Sequence, residues 1–195
     1  MMGYRLNLGS GGVHLGGWIH VDKSFDDSTA AAIRKTQNAR MLRFDLTSGP
    51  LPYKDDTCQM VVAHHSLDLL EEDTLERLLA DIYRVLMPGC FFRVSLFDIL
   101  KSTEAKERED REWFLSRFCR PEWTLDEMHH YMVTLNGARK WVTTPEVFGS
   151  QLVAAGFDGF TQMEYHETTC PQESILDLDA RPDESWFLDA WKASA

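Results

Sequence analysis

The chain has no Cys-x-x-Cys pair, no block of lysine and arginine, no internal repeat and no low-complexity tract. Its four cysteines (Cys58, Cys90, Cys119 and Cys170) lie far apart, which argues against zinc and dithiol redox chemistry. They read as buried or partly buried thiols in a reducing compartment. The longest apolar runs stop well short of the roughly 18 residues a membrane helix needs. No charged segment with an apolar stretch precedes the first strand, so the expectation is a soluble, cytoplasmic protein without a membrane partner. Basic residues are also short: 20 Lys and Arg stand against 31 Asp and Glu, a formal charge of −11. Phosphate binding depends on cationic neutralisation, so no nucleic acid partner is expected. Histidines 129, 130 and 166 show no ligand spacing, so no metal is expected either.

What remains is a chain of 195 residues, 44% hydrophobic and 26% charged. That suits one globular domain over residues 1–195 with a substantial core. Its organising stretch is Tyr4-Arg5-Leu6-Asn7-Leu8-Gly9-Ser10-Gly11-Gly12, followed by Trp18-Ile19-His20-Val21-Asp22. An apolar run breaks into three glycines, which lets backbone amides approach a ligand closely. A second run ends in Asp22, a carboxylate suited to a ribose diol. The dinucleotide fingerprint needs a third glycine and an acid about 20 residues on. Here His14 holds the third-glycine position and Asp22 follows Gly9 by only 13 residues. The simplest alternative is a plain glycine loop between two core strands.

Further along, Ser28–Lys35 reads as a short helix with Ser28 as a cap option. Met41–Leu46 reads as a strand running through the acid Asp45, and Thr57–His64 as a fourth strand. Leu75, Leu78, Leu79, Ile82 and Leu86 fall at helical spacing, with an Asp73–Glu76 capping box and a stop at Pro88-Gly89. Cys90–Phe97 is a buried strand, and strand–helix–strand implies a parallel sheet. Residues 101–136 break the pattern. Glu104–Arg108, Lys106–Asp110, Glu107–Arg111 and Arg108–Glu112 are opposite charges at i,i+4 on a solvated helix. This insertion is expected to cover part of a pocket, or else to be a surface helix with a packed aromatic end. Thr144-Pro145-Glu146 starts a last helix with Val147, Phe148, Leu152 and Val153 on its apolar face. Phe157–Tyr165 and Trp186–Trp191 read as an antiparallel hairpin.

This order resembles the class I S-adenosyl-L-methionine (SAM) dependent methyltransferases, and more narrowly a bacterial group of small predicted members. The group's motifs are Leu-Asn-Leu-Gly-x-Gly, Gly-Trp-x-x-Val-Asp, Asp-Leu before Leu-Pro, and Arg-Val-Leu-x-Pro-Gly. They appear as Leu6–Gly11, Gly17–Asp22, Asp45-Leu46 with Leu51-Pro52, and Arg84–Gly89. The resemblance implies an α/β, three-layer Rossmann-like fold whose mostly parallel seven-stranded sheet ends in an antiparallel hairpin. It implies SAM as cofactor, S-adenosyl-L-homocysteine (SAH) as product, and a small-molecule or saccharide-type acceptor. By it, Gly9, Ser10 and Gly11 face the methionyl part, Asp22 holds the ribose, Asp45 and Leu46 frame the adenine, and Asn7 and His64 join the cofactor set. Three departures stand out. The Gly12–Gly17 link is too short for a helix. The group's His-x-Leu-Glu-His reads His65-Ser66-Leu67-Asp68-Leu69, without its second histidine. Cys90 replaces the second glycine of Pro-Gly-Gly.

His64 and His65 are the catalytic candidates. Methyl transfer needs a base only where the acceptor must lose a proton. Neighbouring strand residues face opposite sides, so one of the two is expected to serve, with activity falling as pH drops through about 6.5. The other reading is a binding or scaffold protein on an inactive methyltransferase fold.

Overall fold

The apolar runs pair into one sheet. The computed structural model describes residues 3–194. Among them the strands are β1 (Tyr4–Leu8), β2 (Ile19–Asp22), β3 (Arg40–Arg43), β4 (Cys58–His64), β5 (Leu86–Phe97), β6 (Gly159–Met163) and β7 (Ser185–Trp191). They form a seven-stranded sheet in the order β3-β2-β1-β4-β5-β7-β6. The pairs from β3 across to β5 are parallel, while β7 lies antiparallel between β5 and β6. The α/β architecture with a terminal hairpin is therefore as expected.

Alternation along the strands separates two faces. On the first, Leu6, Leu8, Val21, Val61, Ala63, Phe92 and Val94 meet α2 (Glu72–Val85) and α6 (Pro145–Ala154). Leu75, Leu78, Leu79 and Ile82 of α2 are buried there, each contributing on the order of 1.5–3 kcal/mol. On the second face, α1 (Asp27–Lys35) covers the β3 side through Phe25, Ala30, Ile33 and Met41. No helix joins β1 to β2 among the described residues. The chain from β6 to β7 crosses that region instead, and Cys170, Ile175 and Leu178 pack on Trp18, Met60 and Val62.

That crossing is held by charge. Arg93 of β5 is fully buried. Its guanidinium meets Asp179 through Nε at 2.7 Å and Nη2 at 2.5 Å, and Asp189 of β7 through Nη1 at 2.8 Å. It also donates to the Glu167 carbonyl at 2.9 Å. Asp189 takes further hydrogen bonds from Thr168 Oγ1 and Thr169 N, and Asp179 one from His166 N.

After β5 come α3 (Ile99–Glu107), α4 (Arg111–Leu115) and α5 (Leu125–Thr134). They build a separate cluster of Ala105, Phe114, Met128 and Met132 around Phe97, the last residue of β5. Lys101 Nζ ties α3 to the start of β7 through the Pro182 carbonyl at 2.8 Å and the Ser185 carbonyl at 2.6 Å.

Several local expectations are corrected. Asp26, not Ser28, caps α1, accepting from Thr29 N at 2.7 Å. α2 has no side-chain cap; the capping box belongs to Thr124 and Glu127 of α5. α2 ends at Val85, and Pro88-Gly89 lies inside β5, where the register with β4 shifts. β3 stops at Arg43 and β6 at Met163, so both are shorter than expected. Glu109 has φ +54° just beyond α3. Of the expected i,i+4 pairs, only Glu104–Arg108 forms among the described residues, and Lys106 pairs with Asp126 instead. Val147 and Val153 are 56% and 50% exposed, because α6 turns Phe148, Gly149 and Leu152 to the sheet. Cys119 is exposed.

Replacing Arg93 with Met should leave two buried carboxylates without their cation and cost about 3–5 kcal/mol. Urea unfolding at neutral pH checks this; an unchanged midpoint and slope would show that the ion network does not hold the crossing segment.

Candidate functional site

The glycine loop follows β1 directly. Gly9 has φ +62°, and a Cβ added there would lie 2.3 Å from the Ser66 Cβ. Ser66 itself donates to the Leu8 carbonyl at 3.1 Å. The loop is thus pressed against the segment that leaves β4, and only glycine allows that approach. Gly11, at φ +54°, has nothing within 4 Å of an added Cβ, so this side of the loop is open. Asp22 closes the loop from β2, its Oδ2 accepting from Gly11 N at 2.9 Å and its Oδ1 from Ser24 N at 3.2 Å. Each oxygen keeps a further lone pair. Ser10 is 6% exposed, and its hydroxyl has no hydrogen-bond partner. A buried unpaired hydroxyl is costly unless something else meets it.

Asn7 sits beneath this loop rather than on it. Its Nδ2 lies 3.3 Å from Nδ1 of His20, which is fully buried. Nε2 of His20 reaches the Leu15 carbonyl at 2.9 Å and the Leu15 amide at 3.0 Å. Asn7 and His20 therefore pin the middle of the Gly9–Gly17 link, where a following helix would otherwise set the path. His20 was not a sequence candidate; its signal is a histidine on the Asn7 face of the strand beside the loop.

Asp45 stands in the turn after β3. Its Oδ1 accepts from Thr47 N at 2.9 Å and from Thr47 Oγ1 at 2.8 Å. The Thr47 amide is the main cause of a carboxyl held below its ordinary range. Asp45 thus shapes the turn, and Leu46 beside it packs on the first-face core. Leu46 also lines an open groove of about 340 Å³ with Thr47, Pro50 and Leu78. Asn7, Gly9, Ser10, Gly11, Asp22 and His64 do not line it.

The two histidines at the end of β4 differ. His64 has Nδ1 2.6 Å from Ser95 Oγ and Nε2 3.8 Å from Asp179 Oδ1, so both nitrogens face the second-face network. Its side chain is 12% exposed. Burial lowers its pKa to about 4, against the pull of Asp179 and with the push of Arg93. His65 follows the strand at φ +48°, with its amide on the Ser95 carbonyl at 2.9 Å. Its Nε2 lies 2.6 Å from Ser185 Oγ, while its Nδ1 has no protein partner among the described residues. Burial first, then Arg181, lowers its pKa to about 3. Both rings are therefore neutral at pH 7 and titrate far below the expected 6.5.

Residues 14–94 match the model of a family described as a methyltransferase domain, from just past the loop through most of β5. A SAM-dependent methyltransferase of Thermotoga maritima, described as a possible histamine N-methyltransferase, superposes with a TM-score of 0.57 at 16% identity, over 98% of this chain and 83% of that one. One from Mesorhizobium loti gives 0.55 at 19% identity, over 96% and 89%. Human N-acetylserotonin methyltransferase in complex with SAM gives 0.55 at 18%, over 98% of this chain but 48% of that one. No curated protein matches in sequence. Residues 14–94 thus carry a methyltransferase-domain match, and the chain as a whole shares the fold of SAM-dependent methyltransferases.

Gly9→Ala should destabilise more than Gly11→Ala. Both place a side chain at positive φ, at about 1–2 kcal/mol each, but only the first meets Ser66. Paired thermal melts check this, and equal losses would remove the Gly9–Ser66 approach as a constraint.

Proposed function

We propose that the protein is a methyltransferase that takes SAM on the Gly9–Gly11 loop and acts on a small-molecule or saccharide-type acceptor. The observation that carries this is the loop itself. Its Ser10 hydroxyl is buried without a partner, its Gly11 side is open, and the Asp22 carboxylate closes it. These groups suit SAM: Ser10 and the loop amides toward the methionyl part, Asp22 toward the ribose hydroxyls, and Leu46 as an apolar neighbour for the adenine. Asp45 is committed to Thr47, and Asn7 supports the loop through His20, so neither is needed as a direct contact. SAM, when bound, supplies an electrophilic methyl group on a sulfonium.

The chain's own share is positioning and exclusion of water, which account for much of such a reaction's acceleration. Residues 99–136 follow β5 and pack around Phe97, at the same end of the sheet as the glycine loop and the two histidines. In this reading they cover the acceptor side. A formal charge of −11 favours a neutral or cationic acceptor over a polyanion. The competing reading, a binding protein on an inactive fold, draws on His64, whose two nitrogens are turned inward.

Calorimetric titration with SAM, SAH and NAD should show SAH and SAM binding and NAD weaker than both; tighter binding of NAD would sink the proposal. Asp22→Ala should cost about 1–3 kcal/mol of SAH affinity, the scale of a hydrogen bond to a charged group. An unchanged affinity would take Asp22 out of the site.

The pH profile follows from the lowered histidines. His65, at about 3, and His64, at about 4, keep their neutral rings down to those values. With an acceptor that must lose a proton, initial rates should show no histidine-type fall between pH 8 and about 5. A fall centred near 6.5 would mean that some other, unperturbed histidine is the base.

A further inference from the structure

We propose that Ser185 is a positioning residue that locks His65 in the tautomer with a free Nδ1, and so makes His65 the group that takes the acceptor's proton. This rests on the methyltransferase reading, but its structural half stands without it.

A serine hydroxyl has one proton to give. Ser185 Oγ gives it to the Arg181 carbonyl at 2.7 Å, a group that can only accept. The contact of 2.6 Å between Ser185 Oγ and His65 Nε2 must then run the other way, with Nε2–H donating. A neutral imidazole carries one N–H, so Nδ1 is left with its lone pair. The opposite arrangement would leave the Arg181 carbonyl without that donor. His65 Nδ1 has no protein partner among the described residues and is absent from the buried unpaired atoms, so solvent reaches it.

The surroundings hold this arrangement in place. The His65 amide is fixed on the Ser95 carbonyl, and Ser185 is fully buried at the first position of β7. Lys101 of α3 grips the Ser185 and Pro182 carbonyls, so the segment over the acceptor side is anchored at the same corner. His65 directly precedes Ser66, whose side chain abuts Gly9. The free Nδ1 therefore belongs to a residue one position from the glycine loop's contact. His64 has no comparable nitrogen: its Nδ1 meets Ser95, and its Nε2, 3.8 Å from Asp179 and without a hydrogen-bond partner, is buried away from solvent.

The step balances simply. The acceptor's hydroxyl lone pair closes on the methyl carbon, and the carbon–sulfur pair returns to sulfur. The proton the acceptor loses goes to Nδ1, so the positive charge passes from the sulfonium to the imidazolium. With both nitrogens protonated, that imidazolium still donates Nε2–H to Ser185. The same hydroxyl thus sets the tautomer before the transfer and holds the ring after it.

The test is nitrogen-15 spectroscopy of the histidine side chains at neutral pH without ligand, with His65→Asn to assign the signal. The expected result is a single Nε2–H tautomer for His65 in the wild type, a mixed or reversed tautomer in Ser185→Ala, and restoration in Ser185→Thr. An Nδ1–H tautomer in the wild type, or a Ser185→Ala spectrum that matches it, would overturn the proposal. If Ser185→Ala does not fold, the wild-type tautomer alone decides. SAH titration is run alongside. Ser185→Ala should keep SAH affinity within about twofold while turnover falls on the order of 10²-fold. Loss of SAH binding in the wild type would defeat the methyltransferase reading and leave the tautomer result standing.

Discussion

The buried contact of Arg93 with Asp179 and Asp189 is the constraint from which the second face of this sheet follows. Without a helix between β1 and β2, the strands below the glycine loop would stand open on that side. The β6–β7 connection fills the place, but it is an irregular segment with few apolar anchors of its own. Cys170, Ile175 and Leu178 supply some contact. Arg93 supplies the fixed point, since two carboxylates and the Glu167 and Glu164 carbonyls converge on one planar guanidinium. A buried ion pair is weak support for net stability, but it is strict about geometry. The path of this chain puts both oxygens of Asp179 against Nε and Nη2 of Arg93.

That path has a consequence for the two histidines after β4. Asp179 arrives beside His64 and draws the ring toward the network, where Ser95 takes the other nitrogen. The histidine on the strand is thus enclosed, its Nε2 buried without a hydrogen-bond partner. The histidine just off the strand, freed from alternation by its left-handed backbone, is the one whose unpaired nitrogen is not buried. The loss of the second histidine of the group's motif therefore need not mean the loss of a base.

The fold was legible because its signals are local. Glycine after an apolar run, leucines at helical spacing and an acid at a strand end each act over a few residues, and they placed every strand within a few positions. The glycine loop and Asp22 were legible for the same reason. What could not be read are the partners set by tertiary contact. Arg93 and Asp179 lie 86 residues apart, and His65 and Ser185 lie 120 apart. Nothing near Arg93 marks it as buried, and inside an apolar strand it reads as an outward charge. Asp45 carries a related ambiguity: an acid after a strand can cap its own turn as readily as hold a ligand, and Thr47 two residues on takes its Oδ1.

The segment after β5 and the corner that holds His65 meet at one place. α3 leaves β5 and sends Lys101 back to the carbonyls of Pro182 and Ser185. Ser185 carries His65, and the residue after His65 sets the position of Gly9. Two hydrogen bonds thus separate α3 from the His65 imidazole, and one side chain, Ser66, separates the His65 segment from the glycine loop. Such a short chain of contacts needs no long allosteric path. Lys101 of α3, the His65 ring and the glycine loop share one corner of the sheet, joined through Ser185 and Ser66.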